Sequence, residues 1–209
     1  MFALHRMTAA LTLVLGIAVA SPASAGPPTE TLRNYVDRLV AVMEDGSLKE
    51  PGRAAERRQT VRAIAEDALD FNESARRSLA SHWDARTPAE QARFARVFTD
   101  LIDNAYLSRI SMDGERIALD SESVTDREAI VKGRALSKSG NATPVQFFLH
   151  QDATGRWRLY DVSFEGMSLV GTYRAQFNKI IRTTSFDELM TRLEAKTRAE
   201  AQASSPTNP

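Results

Sequence analysis

The hydrophobic period of this chain changes twice, and that change fixes its fold class. From residue 29 to 110 apolar residues recur at spacings of three and four. From 117 to 164 they alternate, and from 168 to 193 the helical spacing returns. The first pattern gives a helix one buried stripe, and the second gives a strand one buried face. Helices followed by a run of strands indicate an α+β fold, with helices segregated to one face of an antiparallel sheet.

The stripe Leu32, Tyr35, Val36, Leu39, Val40 and Met43 predicts a first helix, ended by Asp45-Gly46. Val61, Ile64, Ala65, Ala68 and Leu69 predict a second. Phe71 to Trp83 reads as a shorter third, with Ala75, Leu79 and Trp83 on one face. Thr87-Pro88-Ala89-Glu90 is a capping box with proline at the first helical position. It launches Phe94, Val97, Phe98, Leu101, Ile102, Ala105 and Tyr106, which marks the central packing helix.

Past Asp113-Gly114, four strand candidates follow: around Ile117 and Leu119, Ala129–Ser137, Val145–Leu149 and Trp157–Phe164. Short turns join them, which reads as a meander. Gly166 marks a break or bulge. Helical spacing then runs from Leu169 to Ile181, and Ser185 caps a last helix with Leu189 and Leu193. From about Lys196 the polar tail is expected to be disordered, so the domain spans 26–196 and the tail 197–209. A curved four-stranded sheet covered by helices makes a cone, and a cone can enclose an apolar cavity.

The first 25 residues read as an export signal. Arg6 precedes the uncharged run Met7–Ala20, then Ser21-Pro22 and Ala23-Ser24-Ala25. A basic start, a short apolar run and an A-x-A end describe a secretory leader cleaved after Ala25. The run is too short to span a bilayer, which takes about 20 residues. The expectation is a periplasmic protein. There is no Cys, so disulfides, thiolate nucleophiles and lipidation of a cysteine are excluded. Lys+Arg and Asp+Glu both number 27, which argues against a nucleic-acid-binding arm.

Catalytic chemistry finds little support. His82 and His150 lie in different kinds of element with no metal-ligand spacing around either, and no phosphate loop, dinucleotide motif or nucleophile elbow is present. No cofactor or metal is expected. Asp161 and Glu165 are the one carboxylate pair that invites an acid/base reading in a cavity. The alternative is that they pair with Arg174 or cap the helix beginning near Ser168.

Two segments carry a family resemblance. WRLYDVSFEGMSLVGTYRAQFNKII (157–181), followed by FDELMTRLEAK (186–196), resembles the C-terminal signature of the MlaC family, also known as the toluene-tolerance protein family. The positions that carry it are Trp157, Leu159, Tyr160, Asp161, Val162, Glu165, Gly166, Ser168, Leu169, Tyr173, Arg174 and Phe177. DFNESARRSLASHWDARTPAEQARFARVFTDLIDNAY (70–106) resembles an upstream segment of the same family. Ala80 stands where that family usually has Gly, Ser74 where it often has Met, and Thr172 where Asn often stands.

The resemblance implies an NTF2-like cone that buries lipid acyl chains between sheet and helices, without catalysis. It implies a monomeric shuttle maintaining outer-membrane lipid asymmetry. Its partners would be an outer-membrane lipoprotein–porin complex and the MCE-domain subunit of an inner-membrane ABC transporter. Acyl-pocket candidates are Phe98, Leu101, Tyr106, Val145, Phe147, Leu149, Leu159, Phe164, Met167 and Val170. Asp161, Glu165, Gly166, Tyr173 and Arg174 form the structural motif. The alternatives are a hopanoid-associated relative, an NTF2-like enzyme using Asp161 and Glu165, and an adaptor with a filled core.

Overall fold

The computed structural model describes residues 26–106 and 116–204. The expected leader, the Asp113-Gly114 turn and residues 205–209 lie outside the described residues. Four helices come first: α1 (Pro27–Glu44), α2 (Ala54–Ala68), α3 (Phe71–Leu79) and α4 (Pro88–Ala105). Strands β1 (Arg116–Thr125), β2 (Glu128–Leu136), β3 (Ala142–Gln151), β4 (Trp157–Phe164) and β5 (Met167–Ser168) follow, then helices α5 (Leu169–Thr183) and α6 (Phe186–Ser204). Among the described residues no helix is long and apolar enough to cross a membrane.

The strands make one antiparallel sheet in the order β1-β2-β3-β4-β5. This is the expected meander with a fifth strand added. β5 has two residues, too few to show alternation in a sequence. Phe164 pairs with Met167 across Glu165 and Gly166, whose φ values are 51° and 83°. Positive φ at both central residues gives the hairpin turn whose twist matches its strands. The break marked by Gly166 is therefore a hairpin turn.

The helical boundaries differ from the sequence reading in two places. The segment Phe71–Trp83 is not one helix: α3 stops at Leu79, because Ala80 takes φ 48° and ψ −122°, and a 3₁₀ turn covers Ala80–His82. At the other end, α6 continues past Lys196 to Ser204. No Gly or Pro interrupts residues 196–204, Lys196 pairs with Glu200 one turn on, and Asn104 Nδ2 donates to the Thr197 carbonyl. Polarity alone does not melt a helix whose residues favour it.

The apolar side chains fall into two separate buried clusters. One lies among the helices, where Phe94, Phe98 and Leu101 of α4 are fully buried. Phe94 meets Phe177 edge-on at 5.7 Å between ring centroids, and Phe98 meets Tyr173 edge-on at 5.6 Å. Such pairs add about 0.5–1.5 kcal/mol each beyond burial. The α4 capping box launches this stripe: Glu90 N donates to Thr87 Oγ1 at 3.3 Å, and Thr87 N donates to the Glu90 carboxylate at 2.7 Å. The second cluster lines one face of the sheet: Ala129, Val131, Val145, Phe147, Leu149, Trp157 and Leu159, with Leu32 of α1 over them.

A bulge in β4 sorts residues between the faces. Leu149 pairs with Leu159 and Phe148 with Asp161, which leaves Tyr160 as an extra residue. Directly paired residues share a face. Alternation therefore flips at Tyr160: Leu159, Val162 and Phe164 join the α1 side, while Asp161 faces the opposite side with Phe148. The edge of β4 is covered at the bulge, where Asp70 N donates to the Leu159 carbonyl at 2.8 Å and Ser74 Oγ to the Tyr160 carbonyl at 2.7 Å. β5 pairs with Ser163 and Phe164, which shortens the edge of β4 open to unwanted pairing.

Candidate functional site

Helix α1 lies over the apolar face of the sheet, and Leu69 at the end of α2 packs against the same cluster. Leu32 of α1 is buried against it, but Tyr35, Val36, Leu39, Val40 and Met43 of the same stripe are only half-buried. On the sheet, Ile117 and Leu119 of β1, Ala135 of β2 and Val162 of β4 are also half-buried and pack with Val36 against the buried cluster. These half-buried apolar side chains of helix and sheet form a seam along α1.

Polar contacts set where α1 lies. Its first two positions are Pro27 and Pro28, which carry no N–H, so the first-turn donor left is Thr29. Thr29 N donates to the Glu122 carboxylate of β1 at 3.1 Å, and Thr29 Oγ1 donates to the same oxygen. At mid-helix Arg38 pairs with Asp67 of α2 at 2.6 Å, and Tyr35 Oη donates to the Asp67 carbonyl at 3.1 Å. Burial, with Asp67 nearby, pushes the Tyr35 hydroxyl pKa above its usual value.

The ten acyl-pocket candidates divide into groups. Val145, Phe147, Leu149 and Leu159 lie together in the sheet cluster, and the pairing of Val145 with Phe164 puts Phe164 on the same face. Phe98 and Leu101 belong to the helix cluster instead. Val170 is buried at the start of α5. Tyr106, Phe164 and Met167 are exposed, Met167 by 68%. Phe98, Leu101, Val145 and Leu149 have no accessible surface, so protein atoms pack them on every side. Val36, Ile117, Leu119 and Val162 are the half-buried apolar residues that border the sheet cluster. None of these four was among the candidates, although the α1 stripe and the Ile117/Leu119 alternation both showed in the sequence.

Asp161 and Glu165 do not share a site. Asp161 is buried and accepts from Val170 N at 2.9 Å and from Ser168 Oγ. Ser168 Oγ in turn accepts from Gly171 N at 2.7 Å. Asp161 and Ser168 thus cap α5 together, the structural role weighed for the carboxylates. Glu165 is exposed in the hairpin turn, with its N–H donating to the Pro144 carbonyl. Arg174 pairs with neither. It lines a groove of about 600 Å³ on the opposite face of the sheet, together with Arg76, Arg77, Asp84, Phe148 and Tyr160. Tyr173 is buried in the helix cluster, where burial raises its hydroxyl pKa.

Beside that groove an ionic network joins α3 to the sheet. Glu73 pairs with Arg76 and Arg77, each at 2.6 Å, and Arg77 also meets Glu128 of β2. The Arg77 guanidinium sits 3.7 Å from the Tyr160 ring centroid, a cation–π contact. Hydrogen bonds from Arg76, and then from Arg77, hold the Glu73 carboxyl down at about 2 against the opposing effect of burial. Burial pushes the Tyr160 hydroxyl up to about 12. His150 bonds Asp70 at 3.0 Å, and His82 bonds Asn178. Among the described residues no His, Asp or Glu cluster could hold a metal ion.

A profile of the MlaC protein family matches residues 33–195. The chain belongs to the MlaC family. The match spans the described elements from α1 to α6 and includes the seam. A solved structure with the same fold is a phospholipid-binding protein from Ralstonia solanacearum, determined in complex with a phospholipid. It is 19% identical, with a TM-score of 0.69, covering 84% of this chain and 99% of the other. Ala80 holds the positive φ that ends α3, a conformation that glycine adopts most readily.

Proposed function

We propose that this protein is a periplasmic phospholipid carrier that holds acyl chains in the seam between α1 and the sheet. The observation that carries the reading is the shared fold with a protein solved around a phospholipid, joined to membership of the MlaC family. The half-covered apolar face supports it physically. Each CH₂ moved out of water gains about 0.8 kcal/mol, so two chains of about 16 carbons represent on the order of 25 kcal/mol in water. A seam that shields them removes that barrier to crossing an aqueous compartment.

A seam is about as apolar as the bilayer that the chains leave, so binding itself sets no direction. A ligand shifts an equilibrium only through differential affinity. Direction must come from docking complexes. In the reading that the family suggests, these are an outer-membrane lipoprotein–porin complex and the MCE-domain subunit of an inner-membrane ABC transporter. The transport would maintain outer-membrane lipid asymmetry. The proposal includes no catalysis, since Asp161 is engaged in capping α5 and Glu165 stands apart from it.

Native mass spectrometry of residues 26–209, purified from periplasm without detergent, tests the reading. Adducts with diacyl phospholipid masses are the expected result. Hopanoid masses would move the ligand to the other branch of the family. A bare protein mass, with no uptake from phospholipid liposomes, would sink the carrier.

A further inference from the structure

Glu122 does more than cap α1. It stands beside Gly26, the residue that a leader cleaved after Ala25 would leave as the first of the chain. A carbon placed where a side chain at position 26 would begin lies 1.7 Å from Glu122 Oε1. The backbone nitrogen of Gly26 is about 2.5 Å from such a carbon by standard geometry. The nitrogen therefore lies at most about 4.2 Å from Glu122 Oε1, at the outer edge of ion-pair range.

We infer that Glu122 is the built-in receptor for the processed amino terminus, pairing the new α-ammonium of Gly26 while it caps α1. The inference rests on the export reading and goes beyond lipid carriage. Two physical reasons require such a partner. An ammonium at a helix N-terminus meets the positive end of the macrodipole, which is unfavourable. And α1 begins Gly26-Pro27-Pro28, with no side-chain cap of its own, so its first N–H depends on a carboxylate supplied from β1. One side chain answers both needs. A side chain at position 26 would push the carboxylate away from Thr29.

The test compares two forms of the protein beginning at Gly26, one with a free amine and one N-acetylated, each with and without Glu122→Gln. Urea unfolding gives the equilibrium constants. Loss of the Thr29 hydrogen bonds is common to both forms and cancels. Glu122→Gln should raise the unfolding constant about fivefold more in the free-amine protein than in the acetylated one, the size of a modest ion pair. Added salt should shrink that difference. Equal effects in the two forms would overturn the pairing. If Glu122→Gln does not fold, the salt dependence of the two wild-type forms decides: added salt should lower the stability of the free-amine form more than that of the acetylated one, and equal or opposite slopes would overturn the pairing. The intact mass of periplasmic protein checks the cleavage independently. A first residue other than Gly26 would overturn the inference through the processing step, and neither result bears on lipid binding.

Discussion

At Ala80 the backbone conformation and the side chain disagree. Its φ of 48° and ψ of −122° suit glycine, and a non-glycine residue in such a region carries about 1–3 kcal/mol of strain. Ala80→Gly should therefore stabilise the protein by about 1 kcal/mol after the added flexibility of the unfolded chain is subtracted. A higher urea midpoint is the expected readout, and an unchanged or lower one would mean that the position is unstrained. Gly133 is the opposite case. A side chain carbon there would lie 2.3 Å from the Ala118 carbonyl oxygen of the neighbouring strand, an atom of the backbone that cannot swing away. Gly133→Ala should cost on the order of 2 kcal/mol by overpacking, where an unconstrained Gly→Ala would stabilise. The sign of the change alone decides.

Among the elements, the joint between α3 and the sheet adds a pH dependence to stability. Glu73 binds a proton at about 2 in the folded protein, held down chiefly by Arg76, against about 4.3 for a free Glu. Its contribution is present above the unfolded value and is lost as pH falls through the folded one. Urea midpoints at pH 5 and pH 3 should fall more for the wild type than for Glu73→Gln. Equal losses would show that the network adds nothing to stability. How far these elements were legible depended on whether their signals were local. The α4 capping box and the α1 stripe sit within a few residues, and both showed. The bulge at Tyr160 did not, because tyrosine is an ordinary strand residue and the pairing that excludes it comes from β3. The one hint was Asp161, a charged residue where strict alternation from Leu159 demands an apolar one. Similarly, the carboxylate pair looked convergent in sequence, and only the turn at Glu165-Gly166 separates it.

For the whole molecule, two apolar clusters divide the work, and sequence periodicity could not separate them. Phe98 and Val145 both read as inward apolar residues, yet one holds the helices together and the other backs the sheet. The division predicts different outcomes for different substitutions. Phe98→Ala removes a fully buried ring from the helix cluster and should cost about 3–5 kcal/mol of stability. Val145→Gln or Leu149→Gln buries an amide with no accessible surface around it, so each should destabilise by about 1–3 kcal/mol. Val36→Gln and Ile117→Gln differ. Both side chains keep accessible surface in the seam, so a polar end can reach water with little loss of stability. They should instead lower phospholipid occupancy, because the polar end occupies the path of an acyl chain. Thermal melts and native mass spectra of the same samples read both quantities. Seam variants with full lipid occupancy and unchanged melting would move the acyl chains out of the α1 seam. Matched losses of stability and lipid across all the variants would instead mean that the two clusters act as one core.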